Sequence, residues 1–357
     1  MEMNPMPGGS FGPRRLTVEL TNICNLHCSY CLRDDEALYH SPAEFLSAEF
    51  LERVIDEARD VMGVSHLVFT GGEPTLHPQF TRLLEIGAAK GLTMGFITNG
   101  WHFERIWPAA LAHRASIASI GFSVDGVTRE SHDYWRGEGS FVRLVRAFAR
   151  CHAYEIPFAV KIAIRRDTAA NLEQIAIFAA RMGAASLNFT HVLPTSAGEN
   201  DSSLSLQERS LAEQEIANLS RIFKMNIGID VGYYNVDQSP PCSALARVSA
   251  NIDYLGRLTL CCNLSGFRGA PAQADIVADL NVEHFSTAFA RLSTMASEQL
   301  EARRKHLAML AEQGTTPDLY SGSPCLFCLE TLGKIPWRQT AAGSSSDSRS
   351  LPVLMGS

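Results

Sequence analysis

The sequence has no apolar run approaching the roughly 18 residues that a membrane span needs. Its first 13 residues are rich in Gly, Pro and Met, but they lack the charged start and apolar centre of a signal peptide. Basic residues are also in the minority, because 31 Lys and Arg stand against 38 Asp and Glu, giving a net charge of −7. Such a balance leaves no basic surface for nucleic acid. We therefore expect a protein that binds neither a membrane nor nucleic acid.

Cysteine, in contrast, is not scarce. The chain has nine cysteines, an odd number, and so many cysteines could suggest a disulfide-rich secreted protein. However, 357 residues with 46% hydrophobic content can bury a large core without disulfides. Clustered cysteine spacings without a secretion signal are typical of metal ligation in a reducing compartment. The sequence therefore predicts a cytoplasmic protein whose cysteines bind metal.

Three of the cysteines lie in the run Cys24-Asn-Leu-His-Cys28-Ser-Tyr-Cys31, directly after an apolar stretch at residues 16–20. Thiolates at this spacing can ligate three irons of a 4Fe–4S cluster and leave the fourth iron open to a small molecule. Zinc is the alternative, but its sites usually pair CxxC or HxxxH elements, which this spacing fits poorly. An open iron indicates chemistry rather than electron storage. His27 is expected to lie near the cluster or at the surface, not to ligate it.

The first two-thirds of the chain alternates strand-like and helix-like segments about every 30 residues, as repeated βα units do. Several strand candidates are almost wholly apolar, which favours a parallel sheet buried on both faces. The predicted strands are residues 16–20, 66–70, 93–98, 117–123, 158–164 and 186–192. The predicted helices are residues 48–62, 80–90, 141–152, 172–182 and 206–222.

Short motifs follow these strands in a recognisable order. They are Tyr30 before the third cysteine, Gly71-Gly72-Glu73-Pro74, Ile97-Thr98-Asn99-Gly100, Phe122-Ser123-Val124-Asp125-Gly126 and His132-Asp-Tyr-Trp-Arg136-Gly. Together with CxxxCxxC, this series resembles the radical S-adenosylmethionine (SAM) superfamily. The resemblance implies an α/β fold, a partial (β/α)6 TIM-like barrel open at one side, with the chemistry at the carboxyl ends of the strands.

The resemblance also implies a cofactor site. SAM would chelate the open iron of a 4Fe–4S cluster bound by Cys24, Cys28 and Cys31, and its reductive cleavage would yield a 5′-deoxyadenosyl radical. Gly71 and Gly72 would let the backbone approach the methionine part closely, and Glu73 would pair with its ammonium or organise the turn. The remaining expected cofactor contacts are Ser123 and Arg136 at the carboxylate and ribose, Tyr30 at the adenine amine, Asn99 at the ribose and Leu193 at the adenine.

The other cysteines form a second group after a turn-rich linker at residues 232–241. Gly256 to Cys261, inside a hairpin-like segment, reproduces the GxxxxC element of the SPASM extension of radical SAM enzymes. Later SPASM cysteines are missing, so the segment resembles the shorter Twitch domain. This resemblance implies a second, closed 4Fe–4S cluster held by Cys242, Cys261, Cys325 and Cys328. Two alternatives stay open, namely ligation by Cys262 in place of Cys261 and a structural zinc ion.

We divide the chain into a flexible N-terminus (1–13), a radical SAM barrel (14–235), a SPASM/Twitch-like domain (236–338) and a disordered tail (339–357). Oxidative modification or cross-linking of a ribosomally made peptide is the favoured activity. The alternatives are a dehydrogenase or epimerase of a sugar, alcohol or other metabolite, and a non-catalytic iron–sulfur carrier. Expected partners are the substrate, a flavodoxin or ferredoxin as reductant, and a separate leader-peptide-binding protein, since residues before Cys24 leave no room for a leader-binding domain.

Overall fold

The computed structural model describes residues 13–196, 203–237, 241–270 and 273–338. The predicted disordered tail lies outside the described residues, as do residues 1–12 of the predicted flexible N-terminus. The strands are β1 (Arg15–Glu19), β2 (His66–Thr70), β3 (Thr93–Thr98), β4 (Ile117–Val124), β5 (Phe158–Ile164), β6 (Ser186–His191), β7 (Asn226–Val231), β8 (Ser249–Ile252), β9 (Arg257–Thr259) and β10 (Ile276–Asp279). The helices are α1 (Ala48–Met62), α2 (Phe80–Ala89), α3 (Phe103–Ala112), α4 (Arg129–Arg136), α5 (Ser140–Ala153), α6 (Arg166–Ala169), α7 (Leu172–Arg181), α8 (Leu206–Ile222), α9 (Phe285–Glu312), α10 (Leu319–Gly322) and α11 (Pro324–Thr331).

The parallel barrel sheet predicted from the βα rhythm is confirmed. Strands β1 to β6 lie side by side in chain order, and each neighbouring pair is parallel. Helices cover the sheet through one apolar face. In α1, for example, Leu51, Val54 and Ile55 are buried, while Ser47 caps the first turn and Gly63 ends the helix in the left-handed conformation. The carboxyl ends of β1 to β4 therefore share one edge of the sheet.

The sheet is larger than the six strands predicted. Its order is β10-β9-β8-β1-β2-β3-β4-β5-β6-β7, so β7 extends one side in parallel with β6. On the other side β8 pairs in parallel with β1, and β8, β9 and β10 continue the sheet in antiparallel fashion. The predicted hairpin at residues 249–262 is thus confirmed, but it joins the barrel sheet itself. In β7 no residue is fully buried, which explains why its apolar pattern is weak.

Helix α9 packs the C-terminal region against the barrel. Arg53 of α1 donates to the carbonyl oxygen of Leu280 at 2.7 Å. The Glu57 carboxylate accepts from the backbone amides of Phe285 and Ser286 at 3.0 and 3.1 Å, where α9 begins. Carboxylates are favourable at helix N-termini because the free amides and the helix dipole both attract negative charge. None of the helices in the described part of the chain is long and apolar enough to cross a membrane.

Candidate active site and cysteine cavity

The loop that carries Cys24, Cys28 and Cys31 leaves β1 and is fastened first to the turn after β2. The amide of Gly72 donates to the Thr21 carbonyl oxygen at 2.9 Å, and the amide of Glu73 donates to that of Ile23 at 2.8 Å. A Cβ at Gly72 would lie 2.0 Å from the Ile23 oxygen. One at Gly71, where φ is +130°, would lie 2.6 Å from the Thr21 oxygen.

These two glycines were expected to make room for the cofactor. The close approach that the structure records is instead to the chain's own backbone, at Thr21 and Ile23, which lie three residues and one residue before Cys24. Their contact with the methionine part of SAM stays a prediction. What the geometry assigns to them is the placement of the cysteine loop.

Further along, the Asn22 side chain donates to the carbonyl oxygens of Ala37 and Pro42 at 2.8 and 3.0 Å and accepts from the Glu44 amide at 2.8 Å. The loop is thereby fastened on both sides. His27 is exposed and stacks on Tyr39, with ring centroids 3.8 Å apart. It lies at the surface, which is one of its two expected positions.

Glu73 organises the turn after β2. Its side chain is 2% exposed. It accepts from the Thr75 amide and hydroxyl at 3.1 and 2.6 Å, from the Thr98 hydroxyl at 2.7 Å and from the Asn99 amide at 2.8 Å. Burial raises the pKa of Glu73, and these donors oppose that effect. Of the two roles expected for Glu73, the structure supports the second, that of joining the ends of β2 and β3.

Asn99 continues this link to the cysteine loop. Its side-chain amide donates to Asn25 Oδ1 at 3.0 Å, and its Oδ1 accepts from the Trp101 amide at 2.9 Å. Asn25 is the neighbour of Cys24 in sequence. Asn99 was expected at the ribose, a contact that stays a prediction, while the observed hydrogen bonds make it a brace for the loop.

The three cysteine side chains are half-buried and within electrostatic range of one another. Burial raises the pKa of Cys24 to about 12, and burial likewise raises that of Cys28, where the Arg136 guanidinium acts in the opposite direction. A buried thiol loses its proton readily only where a metal or a neighbouring cation stabilises the thiolate. The donor set is therefore chemically suited to iron, the site lies at the carboxyl edge of the sheet, and a residue with positive charge faces it.

Asp125, at the end of β4, is the centre of a charged cluster that sequence reasoning missed. Its carboxylate accepts hydrogen bonds from the Tyr30 hydroxyl, from Arg136 and from Arg165. Arg136 also donates to the Tyr30 oxygen at 3.0 Å. Burial opposes ionisation of Asp125, but the two guanidinium groups hold its pKa below the ordinary value.

Arg165 is the most buried member of this cluster, with 0% exposure. Its guanidinium lies 4.1 Å from the ring centroid of Trp135 and 5.2 Å from that of Tyr30. It also donates to the Asp125 carbonyl oxygen at 3.0 Å. Sequence analysis could have identified Arg165, because it directly follows the predicted strand at residues 158–164. A charged residue at the carboxyl end of a barrel strand indicates a functional site.

Two of the expected SAM contacts, Tyr30 and Arg136, are thus held together by Asp125. Ser123 lies on β4 and pairs in register with Lys161 of β5. His132, from the same motif as Arg136, is fully buried and accepts from the Asp125 amide at 3.2 Å through Nδ1. Burial, followed by Arg136, lowers the pKa of His132 to about 4, so the ring is neutral at physiological pH. His132 therefore supports the charged cluster around Asp125 without adding a charge to it.

A direct connection joins the cysteine loop to the C-terminal region. The Arg268 amide donates to the Leu32 carbonyl oxygen at 2.7 Å, and the Asp34 amide donates to that of Gly266 at 3.0 Å. Beside this bridge, Arg33 forms a buried ion pair with Glu19 of β1 at 3.0 Å. The residues that follow Cys31 thus contact the residues that follow Cys262.

A cavity lies beside this connection, and its empty space, including the part open to solvent, is about 370 Å³. Cys242, Cys261, Cys325 and Cys328, the four predicted ligands of the second cluster, all line it, and most other lining residues are apolar. Leu193, expected at the adenine, belongs to this wall, and its adenine contact stays a prediction. Cys262 is not among the described lining residues.

The sulfur atoms in this cavity accept backbone hydrogen bonds. The Gly232 amide donates to Cys325 Sγ at 3.4 Å, and the Asn263 amide donates to Cys261 Sγ at 3.5 Å. Such bonds are typical of cluster ligands, whose sulfur carries charge. Within the described residues, no three His, Cys, Asp or Glu side chains are close enough to enclose a single metal ion. Four thiols around an apolar cavity are the donor set that a 4Fe–4S cluster takes, and their ligation of such a cluster stays a prediction.

Cys262 is close to the same cysteines. Its hydrogen bond with Cys261 is the first cause that lowers the pKa of Cys262 to about 7, followed among the lowering effects by Arg33. It is also within electrostatic range of Cys242 and Cys325, so its ligation of the second cluster in place of Cys261 stays open. Cys151 is fully buried in α5, away from both groups of cysteines in the sequence.

Residues 18–179 match the family model described as the radical SAM superfamily. The chain is 35% identical over 193 residues to the mycofactocin maturase MftC of Mycobacterium ulcerans, an alignment that covers 53% of this chain and 50% of the relative. It is 27% identical over 255 residues to the PqqA peptide cyclase of Gluconobacter oxydans, covering 70% of each. The chain thus spans about half the length of the mycofactocin maturase that it matches.

Among solved structures, anSMEcpe with bound AdoMet and Cp18Cys peptide superposes with a TM-score of 0.63 at 18% identity, covering 81% of this chain and 83% of that one. This likeness concerns the fold. It extends well past the residues matched by the family model, so it includes much of the C-terminal region.

Proposed function

We propose that the protein, whose residues 18–179 match the radical SAM superfamily, reductively cleaves SAM and oxidises a peptide substrate. The superfamily implies a 4Fe–4S cluster and SAM. With both bound, one electron from the cluster cleaves SAM to methionine and a 5′-deoxyadenosyl radical, which takes a hydrogen atom from the substrate.

Cys24, Cys28 and Cys31 would hold the first cluster. The support is their shared position at the carboxyl edge of the sheet, on a loop fastened by Gly72, Asn22 and Asn99. Arg136 would bind the SAM carboxylate through the part of its guanidinium that is not hydrogen-bonded to Asp125 and Tyr30. Asp125 would hold the Arg136 side chain in the required orientation. Gly71, Glu73, Ser123 and Leu193 remain proposed contacts or supports.

The observation that carries the oxidative assignment is the cavity lined by Cys242, Cys261, Cys325 and Cys328. Four thiolates leave no iron open, so a second 4Fe–4S cluster there would transfer electrons only. The substrate radical would lose one electron to that cluster and one proton to solvent. Together with the hydrogen atom already removed, the substrate is oxidised by two electrons, and a flavodoxin or ferredoxin would supply the electron that cleaves SAM.

Relatives support a peptide as the substrate. The names of the two curated relatives describe a maturase and a peptide cyclase, and the second aligns over 70% of this chain. We infer a ribosomally made peptide, presented with the help of a separate leader-binding protein. Its oxidation would introduce a double bond or a cross-link.

The test begins with SAM cleavage. Protein reconstituted with iron and sulfide without oxygen should form 5′-deoxyadenosine from SAM and dithionite, as measured by liquid chromatography and mass spectrometry. Cys28→Ala should abolish the product, since the cluster loses one of its three protein ligands. Cys151→Ala is the matched control, because that thiol is buried in α5 and should leave the yield unchanged. Equal yields from Cys28→Ala and wild type would overturn the assignment.

The substrate is tested next. A short peptide encoded beside this chain should lose two hydrogens in the complete reaction and keep its mass with Cys325→Ala. A peptide whose mass never changes, with continued uncoupled SAM cleavage, would favour a small metabolite instead.

A further inference from the structure

A buried arginine of α9 is hydrogen-bonded to the two chain segments that lead to Cys242 and Cys325. Arg303 is 3% exposed. Its Nη2 donates to the carbonyl oxygens of Asn235 and Gly322, the second at 2.8 Å. Asn235 lies in the linker toward Cys242, and Gly322 precedes Cys325 by three residues. The Nε of Arg303 has no hydrogen-bond partner in the described part of the chain.

The ionisable groups that act most on Arg303 are three thiols and one phenol, not carboxylates. Burial lowers the pKa of its guanidinium, and the effects opposing burial come from Cys328, Tyr233, Cys242 and Cys325. Three of these four groups line the cavity. Conversely, the positive charge of Arg303 acts to lower the pKa of each of the three thiols, which favours the thiolate form.

A buried cation without a counterion is costly, since its desolvation is not repaid. Arg209 offers a comparison. It is also buried and within range of Cys325, but the Glu213 carboxylate offsets its charge, and its guanidinium donates to three carbonyl oxygens at 3.1 to 3.3 Å. Arg303 has no such carboxylate among the described residues, whereas a cubane core with four thiolate ligands carries net negative charge.

We propose that Arg303 is the counter-cation of a second iron–sulfur cluster in this cavity and raises its reduction potential. The inference rests on the second cluster of the proposed function. A fixed positive charge in a region of low dielectric stabilises the reduced, more negative cluster over the oxidised one. Arg303 would thus make the cluster a better acceptor for the electron that the substrate radical releases.

The experiment is a redox titration of the second cluster alone. Full-length protein with Cys24, Cys28 and Cys31 replaced by Ala is the parent, so that only one cluster contributes to the visible and electron paramagnetic resonance spectra. Three further variants are made in it. Arg303→Met removes the charge at similar volume, and Arg303→Lys keeps it. Arg304→Met is the matched control, because Arg304 is the next residue and forms an exposed ion pair with Glu301.

The midpoint potential of Arg303→Met should be lower than that of the parent. At a given applied potential, the ratio of reduced to oxidised cluster should fall tenfold or more. Tenfold corresponds to about 59 mV for a one-electron couple. Arg303→Lys and Arg304→Met should stay close to the parent. A full iron complement in Arg303→Lys with none in Arg303→Met would support the same role, because the negative cluster then requires the charge.

Other outcomes overturn the inference. An unchanged potential in Arg303→Met, with the cluster intact, shows that the charge does not act on it. If the Arg303→Lys and Arg303→Met variants show the same decrease in midpoint potential or in iron content, the hydrogen bonds to Asn235 and Gly322 are responsible rather than the charge. A parent that binds no iron contradicts the second cluster itself, which separates that failure from a failure of Arg303 alone.

Discussion

At the residue scale, the site depends on positions where one added side-chain atom would force the backbone to move. Gly72 is such a position, because an added Cβ would lie 2.0 Å from the carbonyl oxygen of Ile23. Gly72→Ala should destabilise the fold by about 3 kcal/mol, the upper end for overpacking, since backbone rather than a flexible side chain must move. It should also lower the iron content of the first cluster. Urea unfolding and iron analysis measure the two effects.

Gly228→Ala is the control for this variant. Gly228 lies on β7 with no atom within 4 Å of the added Cβ and no positive φ, so the substitution should be tolerated. Equal destabilisation by both substitutions would mean that the close approach at Gly72 is unimportant.

Asp125 gives a prediction that depends on pH. Its pKa is lowered in the folded protein, so the carboxylate stabilises the fold above its unfolded value of about 3.9. Asp125→Asn should cost about 3 kcal/mol at pH 7, because Arg136 and Arg165 lose their buried counterion. The free-energy difference from wild type should be constant above about pH 5 and shrink as pH falls through the folded pKa. Urea unfolding of iron-free protein at several pH values tests this dependence, and a difference that grows in acid would contradict it.

At the scale of elements, the contact between α1 and α9 fixes the C-terminal region on the barrel. Glu57→Gln should weaken this contact by about 1 kcal/mol, since the first amides of α9 lose a charged acceptor. Glu52→Gln, on the same helix, removes only exposed ion pairs with Arg82 and Lys90 and should change little. Thermal unfolding compares them, and indistinguishable variants would argue against a stabilising role for Glu57.

The elements were also the most predictable part of the structure. Five elements have the predicted bounds, namely strands β2, β3 and β5 and helices α1 and α8. Their long periodic or almost wholly apolar runs indicate directly which residues are buried. Strand β7 escaped prediction since its side chains are only partly buried, and the parallel pairing of β8 with β1 is a long-range contact with no local signal.

The candidate site was predictable in its cysteines and not in its supports. Spacing alone identified the loop of Cys24 to Cys31, and the same four later cysteines that the family resemblance selected line one cavity. Arg165 and Arg303 were missed because an isolated arginine in sequence is usually a surface charge, and only tertiary packing buries it. The roles of Glu73 and Asn99 likewise depend on partners that lie 25 and 74 residues away.

At the scale of the whole molecule, two cysteine sites share one continuous sheet and are joined where Leu32 contacts Arg268. The two sites should be separable in function. Cys325→Ala should retain 5′-deoxyadenosine formation within about twofold, since the first cluster is intact, but should yield no oxidised substrate. Product analysis of both compounds in one reaction measures this. Loss of 5′-deoxyadenosine to the level of Cys28→Ala would instead mean that the second site is needed for radical formation.

The most direct test of the account is the iron and sulfide content of the variant in which Cys24, Cys28 and Cys31 are all replaced by Ala, purified and reconstituted without oxygen. A second cluster in the cavity of Cys242, Cys261, Cys325 and Cys328 predicts about four irons and four sulfides per chain. Iron near zero, with zinc or no metal in its place, would contradict the second cluster and the oxidative reaction proposed from it.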